Sequence, residues 1–218
     1  LSARITPMNT PACTLRIALC LAASSFILSS PARSGDWPGW RGPNRDGIST
    51  ETGLLKSWPE GGPKLLWEVE GCGEGYSSVA IVDGKVFTLG KTKDGEAIFA
   101  FSAGDGKALW KTVFGTGGHS NGSPQVDGEN VYAIRVGGDL VCAKVANGEI
   151  VWKKNFAKDC GGVMMSGWGF SESPLIDGDR LICTPGGPEA MMVALDKMTG
   201  KELWRSPTPA DLGSNGKD

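Results

Sequence analysis

The stretch DKMTGKELW, Asp196–Trp204, places a glycine in a polar turn and a tryptophan four residues later. The same spacing occurs twice more: AGDGKALW ends at Trp110 and VANGEIVW ends at Trp152, so Gly106, Gly148 and Gly200 stand in equivalent places. An apolar run precedes each turn, AIFAFS (97–102), DLVCAK (139–144) and AMMVALD (190–196). Further upstream lie VAIVDGKVFTL (79–89), PQVDGENVYAI (124–134) and PLIDGDRLICT (174–184). Each carries Asp-Gly between two β-rich halves, at Asp83-Gly84, Asp127-Gly128 and Asp177-Gly178. Asp-Gly flanked by hydrophobic runs is a strong hairpin signal, because glycine accepts the positive φ that tight hairpin turns require.

Each unit therefore reads as four antiparallel strands, the last bearing the tryptophan. The tryptophans at 67, 110, 152 and 204 are 43, 42 and 52 residues apart. Four-stranded units of ~40–50 residues are propeller blades. The fold class expected is all-β, a β-propeller with blades at about 76–114, 121–156 and 171–206 and the start of a fourth behind them. The extra length of the third unit falls around CGGVMMSGWGF (160–170), and no stretch shows helical periodicity. GPKLLWEV (62–69) resembles an outer, tryptophan-bearing strand without partners before it. Residues 64–70 are expected to be the strand that closes the ring. Three blades do not close a ring of ~4–8 blades, so the chain is expected to carry part of a larger ring.

The chain has 33 glycines, eight tryptophans and a single histidine in 218 residues. Glycine interleaved with apolar runs indicates turns and a packed core, not disorder. A net charge of -2 without a block of like charge gives no footprint for nucleic acid. The first 35 residues differ from the rest. Met8–Arg16 is short and basic, Ile17–Leu28 is an apolar run of 12, and small residues follow at Ser30 and Ala32. This pattern is a secretory signal peptide, cut near Ala32, and it predicts a periplasmic or secreted protein with no membrane span after cleavage. Residues 1–7 precede Met8, and 36–63 form an extended N-terminal segment. Cys72, Cys142, Cys160 and Cys183 remain after cleavage. They allow three pairings or four free thiols, and none has the C-x-x-C spacing of a zinc knuckle.

ALDKMTGKELW (194–204) matches the A-x-D-x-x-T-G-x-x-x-W motif of pyrroloquinoline-quinone (PQQ) repeat propellers through Ala194, Asp196, Thr199, Gly200 and Trp204. Ser102 and Lys144 replace the aspartate in the other two copies. DWPGWRGPNRDGIST (36–50) and GLLKSWPEGGPKLLW (53–67) are similar to the start of many exported bacterial PQQ-like propellers, including those called BamB-like. The resemblance implies three PQQ-like repeats from a ring of about seven or eight blades. It also implies that Trp110, Trp152 and Trp204 pack between neighbouring blades.

For activity the resemblance implies two possibilities, since one scaffold hosts several functions. The first is a non-catalytic binding or scaffold protein that takes a protein or small-molecule ligand on its axial face. The second is a PQQ-dependent alcohol dehydrogenase, with PQQ, a calcium ion, a catalytic aspartate and usually a Cys-Cys pair, its active site completed by further blades. This sequence has no Cys-Cys. Functional residues are expected where each tryptophan strand leads into the next blade, at GEGYSS (73–78), GGHSNGS (117–123) and GWGFSES (167–173). The candidate ligand-binding residues are Tyr76, His119, Asn121, Trp168 and Glu172. Trp168 would stack on a planar cofactor and Glu172 would bind calcium. No catalytic residue is assigned.

Overall fold

The computed structural model describes residues 35–164 and 166–209. The signal-like segment lies outside these residues. Three four-stranded antiparallel sheets follow one another along the chain. The first contains β1 (Ala80–Val82), β2 (Lys85–Thr92), β3 (Gly95–Ser102) and β4 (Ala108–Gly115). The second contains β5 (Gln125–Asp127), β6 (Asn130–Ile134), β7 (Asp139–Lys144) and β8 (Ile150–Asn155). The third contains β9 (Leu175–Asp177), β10 (Arg180–Cys183), β11 (Met192–Asp196) and β12 (Glu202–Ser206). These are three blades of a β-propeller.

The Asp-Gly hairpins form, but not with one geometry. Val82 pairs with Lys85, so Asp83 and Gly84 make the turn, at φ 47° and 67°. Two left-handed residues are the type I′ signature. In the second and third blades Asp127 pairs with Asn130 and Asp177 with Arg180. The aspartate there belongs to the strand, and the glycine alone opens the turn at φ 56° and 59°. One extra residue after Asp-Gly in those blades shifts the register.

The outer pair of each blade repeats closely. Trp110 faces Ala100, Trp152 faces Cys142 and Trp204 faces Ala194, and a bulge follows that pair in every blade. A small residue opposite each indole leaves the ring free to lean away from its own sheet. In the third blade Asp196 Oδ1 accepts from the N–H groups of Met198 and Thr199 and from the Thr199 hydroxyl. Ser102 and Lys144 lack that carboxylate. Their turns keep the backbone bonds, Gly106 N–H to Ser102 O at 2.9 Å and Gly148 N–H to Lys144 O at 2.8 Å. The motif is degenerate in side chain and intact in backbone.

The core lies between sheets. Phe87, Leu89, Ile98 and Ala100 of the first blade pack with Val131, Ala133, Val141 and Ala143 of the second. Tyr132, Ile134, Leu140 and Cys142 of the second pack with Leu181, Val193 and Leu195 of the third. Each indole stitches a seam by reaching forward. Trp67 Nε1 donates to Ala103 O, Trp110 Nε1 to Val145 O and Trp152 Nε1 to Lys197 O, all at 3.0 Å. Each ring then lies on the turn glycine of the blade it reaches. A Cβ on Gly106 would meet Trp67 at 2.7 Å, one on Gly148 would meet Trp110 at 2.5 Å, and one on Gly200 would meet Trp152 at 2.7 Å. The glycine four residues before a tryptophan therefore serves the preceding blade's tryptophan, not its own.

Two expectations change. Trp204 is not buried between blades: it is 39% exposed, with no following turn among the described residues to receive it. A one-turn helix, α1 (Phe156–Cys160), follows β8, capped by Asn155, whose side chain accepts from Lys158 N–H. It is too short to show a period in sequence, yet Phe156 and Cys160 enter the core beside Phe170. Residues 64–70 join no ladder among the described residues; they contribute Trp67 and Val69, which pack beside the first blade's core. Cys72, Cys142, Cys160 and Cys183 are all free thiols. Burial pushes the Cys142 thiol up to about 11.

Candidate functional site at the inner edge of the blades

The segment before the first blade runs across the innermost strands. Trp37 exchanges both backbone hydrogen bonds with Ile81 of β1, at 2.7 and 2.8 Å. Pro38 O accepts from Val126 N–H of β5 at 2.7 Å. The chain then turns back, and the Arg45 guanidinium donates to Ser173 O and Pro174 O, just before β9, at 3.0 Å each. This segment therefore touches all three blades. Arg41 and Arg45 hold left-handed backbone at φ 63° and 56°. That conformation is costly for a residue with a Cβ.

The blade connectors form a second layer. Tyr76 N–H donates to Ser120 O at 2.8 Å. Ser78 N–H donates to Ser123 Oγ at 3.1 Å, and Ser123 N–H donates to Ser173 Oγ at 2.9 Å. The serines just before the first strands of the first two blades thus each hand one hydrogen bond to the next connector. Gly122 is required by closeness: a Cβ there would sit 2.3 Å from Glu172 O.

Between these layers opens a cleft of about 500 Å³. Tyr76, Asn121 and Glu172 line it, together with Trp40, Arg45 and Thr184. Trp168 stands at the rim, its ring edge-on to Tyr76 with centroids 6.5 Å apart, and its carbonyl accepts from Asn121 Nδ2 at 2.8 Å. Asn121 also donates to Ser171 Oγ at 3.2 Å. Three of the five sequence candidates line the cleft, and Trp168 adjoins it through Tyr76 and Asn121. His119 joins neither group: its Nδ1 is 3.3 Å from Glu74 Oε2. Sequence reasoning missed Trp40 and Arg45, which arrive from a segment that precedes the repeats. The serine ladder was legible in principle, because Ser78, Ser123 and Ser173 each precede a hairpin.

Glu172 is half-buried. Its carboxylate accepts from Thr184 N–H at 2.9 and 3.1 Å and from Thr184 Oγ1 at 2.7 Å. Burial raises its pKa against the lowering effect of those bonds and of Arg45. Burial likewise lowers the pKa of Arg45, against the raising effect of Glu172. The cleft thus joins one cation, one carboxylate, hydroxyls, an amide and aromatic rings.

This donor set does not fit calcium. The ion takes 6–8 converging oxygens. Here both Glu172 oxygens are engaged by Thr184, and no group of three His, Cys, Asp or Glu residues converges among the described residues. Among the described residues, the cleft offers a planar carboxylated ligand a single cation, Arg45.

Comparison with the curated proteins finds no match. Solved structures match the fold. The chain is 18% identical to quinohemoprotein alcohol dehydrogenase from Comamonas testosteroni, with a TM-score of 0.60 over 83% of this chain and 28% of that one. It is 20% identical to quinohemoprotein alcohol dehydrogenase ADHIIG from Pseudomonas putida HK5, with a TM-score of 0.51 over 65% of this chain and 22% of that one. It is 21% identical to BamB from Moraxella catarrhalis, with a TM-score of 0.45 over 61% of this chain and 36% of that one. The chain thus spans 22% to 36% of the length of these three structures. The family described as "Outer membrane protein assembly factor BamB" matches residues 48–205. With three blades, glycine-turn seams and that match over most of its length, the chain belongs to the PQQ-like repeat family of BamB.

Proposed function

We propose that the protein is an exported propeller that binds a ligand at the inner, axial edge of its blades and acts as a binding or scaffold module. The observation that carries this is the cleft itself. Arg45 and Trp40 are delivered from the N-terminal segment to meet Tyr76, Asn121 and Glu172 from three successive connectors. A concave site with a few convergent polar groups is the usual form of a ligand site. The donor set favours recognition over metal-assisted chemistry, because Glu172 is committed to Thr184 and faces a cation.

Membership of the BamB family supports a binding role. The basic start and apolar run of residues 8–28 support export, with a mature protein starting near residue 33. N-terminal sequencing of the exported protein checks this. No helix among the described residues is long and apolar enough to cross a membrane.

A second reading is a PQQ-dependent dehydrogenase. The fold shared with the Comamonas testosteroni enzyme supports it. Titration with PQQ and calcium, followed by a dye-linked alcohol oxidation assay, separates the two. The binding reading expects no turnover and no calcium-dependent quinone binding that Glu172→Ala abolishes. Turnover lost in Glu172→Ala establishes the dehydrogenase.

A further inference from the structure

Two exposed aromatic side chains line one polar cleft, and a third stands against its rim. Trp40 is 46% exposed, Tyr76 73% and Trp168 69%, and Tyr76 meets Trp168 edge-on. Exposed rings gathered beside a concave, polar-rimmed cleft are the pattern of an interaction site. Between them stand Arg45, which donates, and Asn121, whose side-chain oxygen accepts, beside a Glu172 already held by Thr184. Arg45 spends two donors on Ser173 O and Pro174 O and keeps the others free. It has no carboxylate within ion-pair distance among the described residues, while Glu172 offsets its charge from further away. The cleft is therefore close to neutral overall and amphipathic, with Leu175, Ile182 and Met192 also in its lining.

We propose that the cleft binds a neutral saccharide, one sugar ring stacking on Tyr76 or Trp168 while the free donors of Arg45 and the side-chain oxygen of Asn121 take its hydroxyls. A pyranose presents an apolar C–H face and a rim of hydroxyls that both donate and accept. An aromatic face desolvates the first, and planar polar side chains match the second. A small anion would use Arg45 but leave three rings idle, and the nearby Glu172 would oppose it. The proposal rests on the axial cleft being the ligand site.

The test is calorimetric titration of the full chain with cellotetraose, maltotetraose and chitotetraose, and separately with citrate. At least one oligosaccharide should bind with sub-millimolar Kd. Tyr76→Ala and Trp168→Ala should each weaken binding about tenfold or more, corresponding to about 1.4 kcal/mol. Trp58→Ala, also at an exposed ring but outside the cleft, should leave binding unchanged. The affinity should not respond to salt between about 0.05 M and about 0.5 M, because no net charge is recognised. Unchanged melting temperatures show that the variants fold. Failure of all three sugars, or sugar binding insensitive to Tyr76→Ala and Trp168→Ala, overturns the proposal. Salt-sensitive citrate binding lost in Arg45→Gln overturns the sugar class and keeps the axial site. Silence of both sugars and citrate counts against the axial site as well.

Discussion

Trp152 and Trp204 occupy the same place in successive blades, each opposite a small residue and just beyond a glycine turn. Their fates differ. Trp152 lies on Gly200 and donates to Lys197 O at 3.0 Å, while Trp204 remains 39% exposed. The motif thus specifies two halves of two different seams. Its tryptophan serves the seam ahead, and its glycine serves the seam behind. Trp152 is received by a following turn, and Trp204 meets none among the described residues.

The largest expected effect follows directly. Trp152→Ala removes a seam-spanning indole and its hydrogen bond, and should lower stability by about 3–5 kcal/mol. Trp204→Ala should lower it by less than about 1 kcal/mol, as an exposed site. Equilibrium urea unfolding compares them.

The next effect separates two kinds of glycine. Gly148 and Gly178 both have left-handed backbone, at φ 74° and 59°. A Cβ on Gly148 would strike Thr112 and Trp110 at 2.4 and 2.5 Å, whereas one on Gly178 would meet nothing within 4 Å. Gly178→Ala should cost only the backbone strain of about 1–2 kcal/mol. Gly148→Ala should add an overpacking cost of about 1–3 kcal/mol. Thermal melts of the two variants measure the difference.

A smaller effect is a pH dependence in the second blade. Burial would raise the Asp139 pKa, but hydrogen bonds from Arg135 and Asn155, with the Arg135 charge, hold it below the usual carboxylate range. Arg135 also meets the fully buried Glu96 of the first blade at 3.1 Å, and Ser120 donates to that carboxylate at 2.9 Å. A depressed carboxyl contributes stability that is present above its unfolded value, near about 3.9, and is lost as pH falls through the folded value. Acid unfolding of Asp139→Asn should therefore be flatter below about pH 4 than that of the parent. The smallest effect is expected at the hub: Tyr76→Ala, 73% exposed, should change stability by no more than about 0.5 kcal/mol.

The seams were largely legible in the sequence. Asp-Gly turns and the Gly-to-Trp spacing are local signals, so they placed three four-stranded blades. The pairing of each tryptophan with the next blade's glycine was not legible. The spacing reads equally well as a contact within the motif, and only the twelve strands in space separate the two. The hub was half legible. Tyr76, Asn121 and Glu172 were found because they lie in connectors with a fixed place in the repeat. Trp40 and Arg45 lie outside any repeat, and their approach depends on Trp37 pairing with Ile81 across the first blade. His119 sits in the right connector but turns to Glu74. Connector position selects the neighbourhood, and side-chain direction selects the site.

A double-mutant cycle tests most directly which glycine belongs to which tryptophan. Urea unfolding would be measured for Gly200→Ala in the parent, in Trp152→Ala and in Trp204→Ala. The Gly200→Ala cost should fall by about 1–2 kcal/mol once Trp152 is alanine, because the obstructing ring is gone and only the left-handed strain remains. It should be unchanged in Trp204→Ala. Coupling to Trp204 with none to Trp152 would contradict the seam described here.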